Sequence, residues 1–462
     1  MIKIFVRNTS SQLSDYTEEL EKLLTCPYPN YWFAPKYRGG LWDGQYHFLK
    51  IPSLRFPSGL LFLVEKYFRE NDIEYEINDL RTWPKTDIIN SVDKNLLKGI
   101  QLRDYQQEAI LAGMRQKRGI FEIATGLGKT EISIAITKLL KLPTLFVVHT
   151  QDLLHQTKER FEKRLDMKDK IGILGDNEYQ IEFITVATVQ TLHSLLKREQ
   201  ATAKELLNVF QVVFFDEVHH ASSMEFWKVG MFMHNAVYRW GLSGTPLKRN
   251  ILSNMKVLAL TGDIIYSKSA KAGIDDKYLS NIKMEIIENP EEVTGKTWQQ
   301  IYKRGIVESG RRNGKIIDIV EREFKNNKRI MLLIRYIKHG EILQHLLKSK
   351  HIPAVFLSGR DKTCKREEFK TKFNMQDMGG RNFVLISSVI FQEGVDIPNI
   401  QVLIIASGGS SEVQTIQRVG RGLRIKEGGG GLLVYDFNDK ETEYLDKHSR
   451  KRIRTYKAEG FM

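Results

Sequence analysis

Ile123-Ala-Thr-Gly-Leu-Gly-Lys-Thr130, followed later in the chain by Phe214-Phe-Asp-Glu-Val-His219, decides the fold. The first run lies between a predicted strand (119–123) and a predicted helix (131–140), which is the setting of a phosphate-binding loop. Gly126 and Gly128 let the backbone turn its N–H groups toward phosphate, with Thr125 and Leu127 filling the turn. Lys129 adds a positive charge, and the Thr130 hydroxyl can reach Mg²⁺. Ile123 stands where the general pattern has Gly, but that residue only starts the turn. The second run is an apolar, β-branched and aromatic strand, 212–215, that ends in two carboxylates. Asp216 is placed to hold the Mg²⁺ shell and Glu217 to polarise an attacking water. A Gly-rich turn alone is often only a turn, and Asp-Glu after a strand is often a solvated loop. Together, in this order and on these elements, they specify a nucleoside triphosphatase. His219 and His220 read as ordinary surface histidines, with no cysteines nearby at metal-ligand spacing.

The 462 residues suffice for about three domains. Hydrophobic residues at 42% and charged residues at 27% describe an ordinary globular chain. Two cysteines, Cys26 and Cys364, fit a reducing compartment and neither a disulfide framework nor a zinc site. The first residues are too few and too strand-like for a signal peptide, and no apolar run approaches the ~20 residues of a membrane helix. The expected location is cytoplasmic. Seventy Lys and Arg against 56 Asp and Glu leave a net charge of +14, which favours a polyanionic partner. The densest basic cluster, Lys447 to Lys457, reads equally as a solvated tail or as a contact.

Residues 1–97 read as a small α+β module. A strand at 2–7 precedes a helix at 15–24 and the aromatic, basic stretch Tyr31 to Phe48, in which Asp43-Gly44 is a hairpin signal. A helix opens at Pro57-Ser-Gly59 and runs through Phe68, a strand closes at 73–77, and the Trp83-Pro84 segment reads as a linker. From Leu102 apolar strands alternate with amphipathic helices. Strands are predicted at 119–123, 144–148, 183–187, 211–215 and 238–242, and again at 282–287, 330–334, 353–357, 383–387, 401–405 and 431–435. Two tandem parallel-sheet α/β units follow from this alternation, and the second has no phosphate loop of its own.

Leu102-Arg-Asp-Tyr-Gln106 precedes the phosphate loop by one helix, so Gln106, with Arg103 beside it, is a candidate for reading adenine; a polar helix start is the bland alternative. Ser243-Gly244-Thr245-Pro246 follows a strand, where small hydroxyls can sense and relay the state of the γ-phosphate. Gln417-Arg-Val-Gly-Arg-Gly-Leu-Arg424 spaces Arg418, Arg421 and Arg424 along one helical face. Such a face is commonly solvated, but two arginines are also what a dissociative phosphoryl transition state needs.

Residues 102–437 resemble helicase superfamily 2 in its Asp-Glu-x-His branch. The resemblance implies two tandem RecA-like parallel-sheet domains, 98–280 and 281–445, preceded by a small α+β DNA-binding domain, 1–97, and followed by a basic tail, 446–462. It gives Lys129 and Thr130 the phosphate and metal roles, Asp216 and Glu217 the metal and water roles, and Ser243, Gly244, Thr245 and Gln417 the coupling role. Gly394 and Asp396 resemble second-domain residues near the nucleotide, and Arg421 and Arg424 resemble arginine fingers. Leu423 stands where the last motif usually has Gly, as it does in several DNA translocases. Backbone contacts to nucleic acid are implied at His149, Thr150, Gln151, Thr188, Gln190, Arg335, Tyr336, Ser358, Gly359, Ser387 and Ser388.

Pro35-Lys-Tyr-Arg38, Trp42-Asp-Gly44 and Pro57-Ser-Gly-Leu60 resemble the leading domain of the UvsW-type branch-migration helicases of large tailed phages. That likeness implies an ATP- and Mg²⁺-dependent motor on branched, forked or duplex DNA, with a single strand in the motor cleft, no membrane partner and a monomeric state. It places further DNA contacts at Lys36, Arg38 and Trp42. An RNA helicase of the same fold and a nucleotide-switched recruiter with little turnover remain the alternatives. Intact Glu217, Arg421 and Arg424 argue against the second.

Overall fold

Every residue of Thr144–Val148, Ile184–Thr188, Val212–Asp216 and Tyr238–Ser243 is buried. Strands need such continuous burial when helices cover both faces of their sheet. The computed structural model describes residues 1–247, 250–289, 293–361, 365, 368–369, 371–373, 382–388, 400–409, 420, 431–440 and 442–462. These form two units, 1–123 with 128–267, and 124–127 with 268–462.

In chain order the leading module supplies β1 (Ile2–Val6), β2 (Ser10–Leu13), β3 (Thr25–Pro27), β4 (Gln45–His47), β5 (Arg55–Pro57) and β6 (Tyr75–Asp79). The order β5-β2-β1-β6 makes one sheet, and β3 pairs with β4 in a separate antiparallel ribbon. The first helix spans Glu18–Leu23 rather than 15–24, because the Thr17 hydroxyl accepts the Leu20 N–H at 3.2 Å and fixes the start. Pro57 ends a strand and caps a 3₁₀ turn, Ser58–Leu60, that leads directly into the α-helix Leu61–Glu70, so the helical stretch expected from Pro57-Ser-Gly59 occurs with a 3₁₀ start. Asp43-Gly44 does not form a tight hairpin turn. It closes the neck of a long connection, where the Tyr28 N–H donates to the Gly44 carbonyl at 2.8 Å.

The module is not a separate bead. Its core of Ile4, Val6, Phe56, Leu60 and Phe68 is continuous with Leu252 and Ala259 of the helix Ile251–Thr261. Phe48 meets Trp227 edge-on at 6.2 Å, and Asn8 Nδ2 donates to the His234 carbonyl at 2.7 Å. The segment read as a linker is held too: Trp83 packs on Tyr238 at 5.6 Å, and Val92 and Leu97 are buried.

The first motor sheet contains β7 (Arg118–Ile123), β8 (Thr144–Val148), β9 (Gly172–Gly175), β10 (Glu178–Gln180), β11 (Ile184–Thr188), β12 (Val212–Asp216), β13 (Tyr238–Ser243) and β14 (Ile264–Lys268), in the order β10-β9-β11-β8-β12-β13-β7-β14. β7 to β13 run parallel except for the antiparallel β9–β10 edge. The second unit contains β15 (Ile282–Asn289), β16 (Ile330–Leu333), β17 (Ala354–Leu357), β18 (Val384–Ser387), β19 (Val402–Ile405) and β20 (Leu432–Asp439), parallel throughout in the order β15-β20-β19-β16-β18-β17. The expected parallel-sheet strands all occur, with small shifts at their ends. β9, β10 and β14 were not expected from sequence.

The residues set apart as a basic tail are mostly helix, Glu443–Ala458. Its buried face puts Arg452 Nε 2.8 Å from Asp436 of β20, and the Tyr456 hydroxyl donates to the same carboxylate at 2.7 Å. An ion pair with these extra hydrogen bonds offsets the cost of burying its charges.

Candidate ATP site and nucleic-acid interface

β7 ends at Ile123, and the next helix begins at Lys129 with Gly128 as its N-cap. Gly126 (φ +90°) and Gly128 (φ +78°) both occupy the left-handed region, which glycine enters without strain. A Cβ at Gly128 would also lie 2.5 Å from Gln106 Nε2, so the loop and the Gln106 side chain are in close contact. Gln106 is buried, and its Oε1 accepts the Arg103 N–H at 2.9 Å. The Arg103 guanidinium donates to the Tyr105 hydroxyl at 3.1 Å. The helix start leaves backbone N–H groups and a positive dipole end for an anion.

Lys129 Nζ donates to the Ile123 carbonyl at 3.1 Å, so the lysine is folded across its own loop. Thr130 follows it in the first turn. Residues 124–127 group with the second unit, where the Ala124 N–H donates to the Lys268 carbonyl at 3.0 Å. The Leu127 side chain is buried, with Gly273 beside it. Of the loop residues expected at the nucleotide, Leu127 therefore has only backbone to offer.

At the end of β12 the two carboxylates differ. Burial, then the charge of Glu217, push Asp216 up to about 6. Burial works against the Glu217 charge as well, but Lys129 and the bonded His219 overcome it and hold Glu217 well below the usual carboxylate range. Glu217 has φ +45°, a strained conformation for a side chain of this size, which turns it away from the strand direction.

Ser243, at the end of β13, ties this corner together. Its Oγ donates to Glu217 Oε2 at 3.2 Å and accepts the Thr245 N–H at 3.1 Å. His219 Nδ1 lies 3.0 Å from the same Oγ and 3.3 Å from Glu217 Oε2. Since the serine hydrogen is already given to Glu217, His219 Nδ1 is the donor to Ser243. His219 is fully buried, which corrects its reading as a surface residue and makes it a member of this corner that the sequence alone did not reveal. The signal was its position three residues past Asp216. His220 stacks on His149 with ring centroids 4.6 Å apart.

The residues fit a magnesium nucleotide. Asp216 and Thr130 are hard oxygen donors, and paired buried acids favour an added cation. Among the described residues no group of three His, Cys, Asp or Glu forms a protein-only cage. Mg²⁺ commonly takes one or two side chains, with phosphates and water completing its shell.

The expected nucleic-acid contacts collect at strand ends within each unit. Thr150 and Thr188 cap the helices that follow the adjacent, parallel β8 and β11, and Gln190 Nε2 donates to the His149 carbonyl at 2.9 Å. Gln151 and Gln190 are exposed, whereas Thr188 is buried. In the second unit Arg335-Tyr336 and Ser358-Gly359 follow β16 and β17, and Ser387-Ser388 straddles the end of the neighbouring β18. Arg335, Tyr336 and Gly359 are exposed, but Ser358, Ser387 and Ser388 are buried. Lys36 and Arg38 are exposed on the leading module, and Trp42 is half-buried. Gly394, Asp396, Gln417, Arg418, Arg421 and Arg424 lie outside the described residues.

Comparison with known proteins agrees with this geometry. Residues 99–248 match the family described as type III restriction enzyme, res subunit, and residues 312–426 match the helicase conserved C-terminal domain. The DNA 3'-5' translocase XPB2 of Sulfurisphaera tokodaii is 31% identical over 410 residues, covering 79% of this chain and 86% of the relative. The ATP-dependent DNA helicase uvsW of Enterobacteria phage T4 is 24% identical, covering 96% of this chain and 94% of the relative. The DNA-bound type ISP restriction-modification enzyme LlaBIII shares the fold at a TM-score of 0.57 and 16% identity, over 77% of this chain and 29% of that one.

Proposed function

The chain belongs to helicase superfamily 2, in its Asp-Glu-x-His branch, and is an ATP-dependent DNA helicase; on that premise we propose that it remodels branched DNA, reversing forks and migrating Holliday junctions in phage replication, recombination and repair. The observation that carries this reading is the similarity to the T4 uvsW helicase over 96% of the chain, which extends beyond the helicase domains. The leading module shares a core with the helix Ile251–Thr261 of the first motor unit, so whatever that module grips moves with part of the motor.

Lys129 and the N–H groups around Gly126 and Gly128 hold the nucleotide phosphates, and Gln106 with Arg103 selects the base. Asp216 and Thr130 would hold Mg²⁺, which would draw charge from the phosphates. Glu217, kept ionised by Lys129 and His219, accepts a proton from the attacking water. Ser243 touches both Glu217 and the Thr245 backbone, so a change at the carboxylate is passed to the segment after β13. Arg421 and Arg424 supply charge to the departing phosphoryl group. The strand-end residues, from His149 to Gln190 and from Arg335 to Ser388, track a DNA backbone. Gly394, Asp396 and Gln417 complete the cycle in the second motor domain, and the protein acts as a monomer in the cytoplasm of an infected bacterium.

Branch migration breaks one pair as it forms another. A stacked step of about 1.4 kcal/mol is recovered at each move, so the motor mainly supplies direction. ATPase rates on single-stranded, duplex, forked, four-way-junction and RNA substrates at one salt concentration test the reading. Forks and junctions should stimulate turnover most. Stronger stimulation by RNA would overturn it.

A further inference from the structure

Residues 28–44, which connect β3 to β4, carry a feature that the ATPase corner does not use. Trp32 and Phe33 are 52% and 66% exposed, and Leu41 is 82% exposed. Both rings stand outside the core of the leading module. Rings of this size are normally buried, so a contiguous exposed group points to a partner.

The group is built and braced. Tyr31 lies beneath it, with its ring 5.3 Å from Trp32 and 4.7 Å from Tyr37. Gly44 admits that ring, because a Cβ there would fall 2.4 Å from Tyr31 Cδ2, and its φ of +78° also favours glycine. Trp42 is an internal strut, since its Nε1 donates to the Gln45 carbonyl at 3.0 Å and its ring meets Tyr28 edge-on at 5.5 Å. Arg38 Nε donates to the Trp32 carbonyl at 3.0 Å, and its guanidinium lies 5.9 Å from the centre of the Phe33 ring. At the base, Phe48 packs on Trp227, and Lys256 lies 5.3 Å from the centre of the Tyr46 ring. The tip is thus mounted on the first motor unit.

We propose that this tip is a base-stacking head for the branch point of DNA: Trp32 and Phe33 cover unpaired or terminal bases, and Lys36 and Arg38 hold the adjoining phosphates. This rests on the branched-DNA reading above. Charge selects the occupant. Between Tyr28 and Trp42 the only charged residues are Lys36 and Arg38, so the surface suits a polyanion and repels a second copy of itself. Planar rings beside cations are what single-stranded bases need, and this stacking tolerates any sequence. Trp42 becomes a positioning residue and not a DNA contact.

The test compares the full-length protein with Trp32→Ala/Phe33→Ala, Trp32→Tyr/Phe33→Tyr and Lys36→Ala/Arg38→Ala variants. Forks carrying 2-aminopurine at the branch report stacking by fluorescence, beside fork-reversal rate and single-strand-stimulated ATPase. The double alanine variant should lose the fluorescence change and bind forks on the order of tenfold more weakly, with an unchanged salt slope. Its single-strand-stimulated ATPase should stay within about twofold, and the tyrosine pair should restore stacking. The Lys36/Arg38 variant should instead lower the salt slope by roughly one to two. Unchanged fluorescence and fork affinity in the double alanine variant would overturn the proposal. So would a wild-type dimer that this variant turns monomeric while forks are processed normally. A wild-type protein whose branch fluorescence depends on Trp32 and Phe33, yet which reverses no forks, would overturn the remodelling reading and leave the stacking head standing.

Discussion

Gly59→Ala should loosen the leading module from the helix Ile251–Thr261 of the first motor unit, and the cost can be worked from contact distances. A Cβ on Gly59 would sit 2.2 Å from the Leu258 carbonyl oxygen and 2.4 Å from that of Ala259. Ordinary contact begins at 3.4 Å, so the helix Ile251–Thr261 must retreat by about 1.2 Å. Neither atom is a flexible side-chain end, and that helix also fills the shared core through Leu252 and Ala259. Overpacking against backbone belongs at the upper end of the usual range, about 3 kcal/mol. For a unit of this size that lowers the melting temperature by roughly 6–12 °C. Denaturant titration followed by tryptophan fluorescence is a direct assay, because Trp227 lies in the contact with Phe48. A midpoint unchanged from wild type would refute the shared core, and with it the claim that the module moves with the motor.

Lys129→Ala should abolish nearly all ATP turnover while DNA binding stays measurable by anisotropy; near-normal DNA-stimulated hydrolysis would remove the phosphate-loop assignment. Glu217→Gln should keep ATP binding and lose turnover, trapping a DNA-bound state visible as slowed release. Arg421→Ala and Arg424→Ala should each lower kcat by on the order of 10³ with little change in ATP affinity, and normal turnover in both would return those arginines to solvent. His339 is buried, its Nε2 faces Asn313 Oδ1 at 2.9 Å, and burial followed by the Arg312 charge push its pKa down from 6.5 to about 3. The unfolded chain therefore binds the proton first, so this contribution is complete above pH 6.5 and is lost as pH falls toward 3. The loss is about 2 kcal/mol between pH 7 and 5, and His339→Gln should flatten that part of the stability profile.

The motor sheets were legible because a strand buried on both faces must be apolar throughout: Thr144–Val148 and Val212–Asp216 have little other reading. β9 and β14 were not legible, for two separate reasons. Gly172-Ile-Leu-Gly175 is bracketed by glycines that suggest a turn, and Ile264–Lys268 is only half-buried, so its pattern is mixed. His219 was hidden because its role depends on Ser243, a serine 24 residues away that β12–β13 pairing brings alongside. The aromatic stretch was ambiguous for another reason. Hydrophobicity assigns Trp32 and Phe33 to a core, and only the closed neck at Tyr28 and Gly44 shows that they lie beyond it.

Net charge was legible in sign but not in address. Three arginines counted toward the +14 never face a phosphate. Arg239 is buried and gives its donors to the carbonyls of Leu260, Met233 and Gly230, and burial lowers its pKa to about 10. Arg312 is buried on Asp439 at 2.9 Å, and Arg452 on Asp436. Each fastens one element to another. Arg452 in particular turns a segment that looks like a solvated tail into a docked helix. That docking aligns Lys447, Arg450, Lys451, Arg454 and Lys457 on the exposed side of Glu443–Ala458. A disordered run would have spread those charges through solvent, whereas a helix fixed by one buried arginine presents them together. The same residue type thus does two opposite jobs within one segment, and only burial separates the structural arginine from the charges left at the surface.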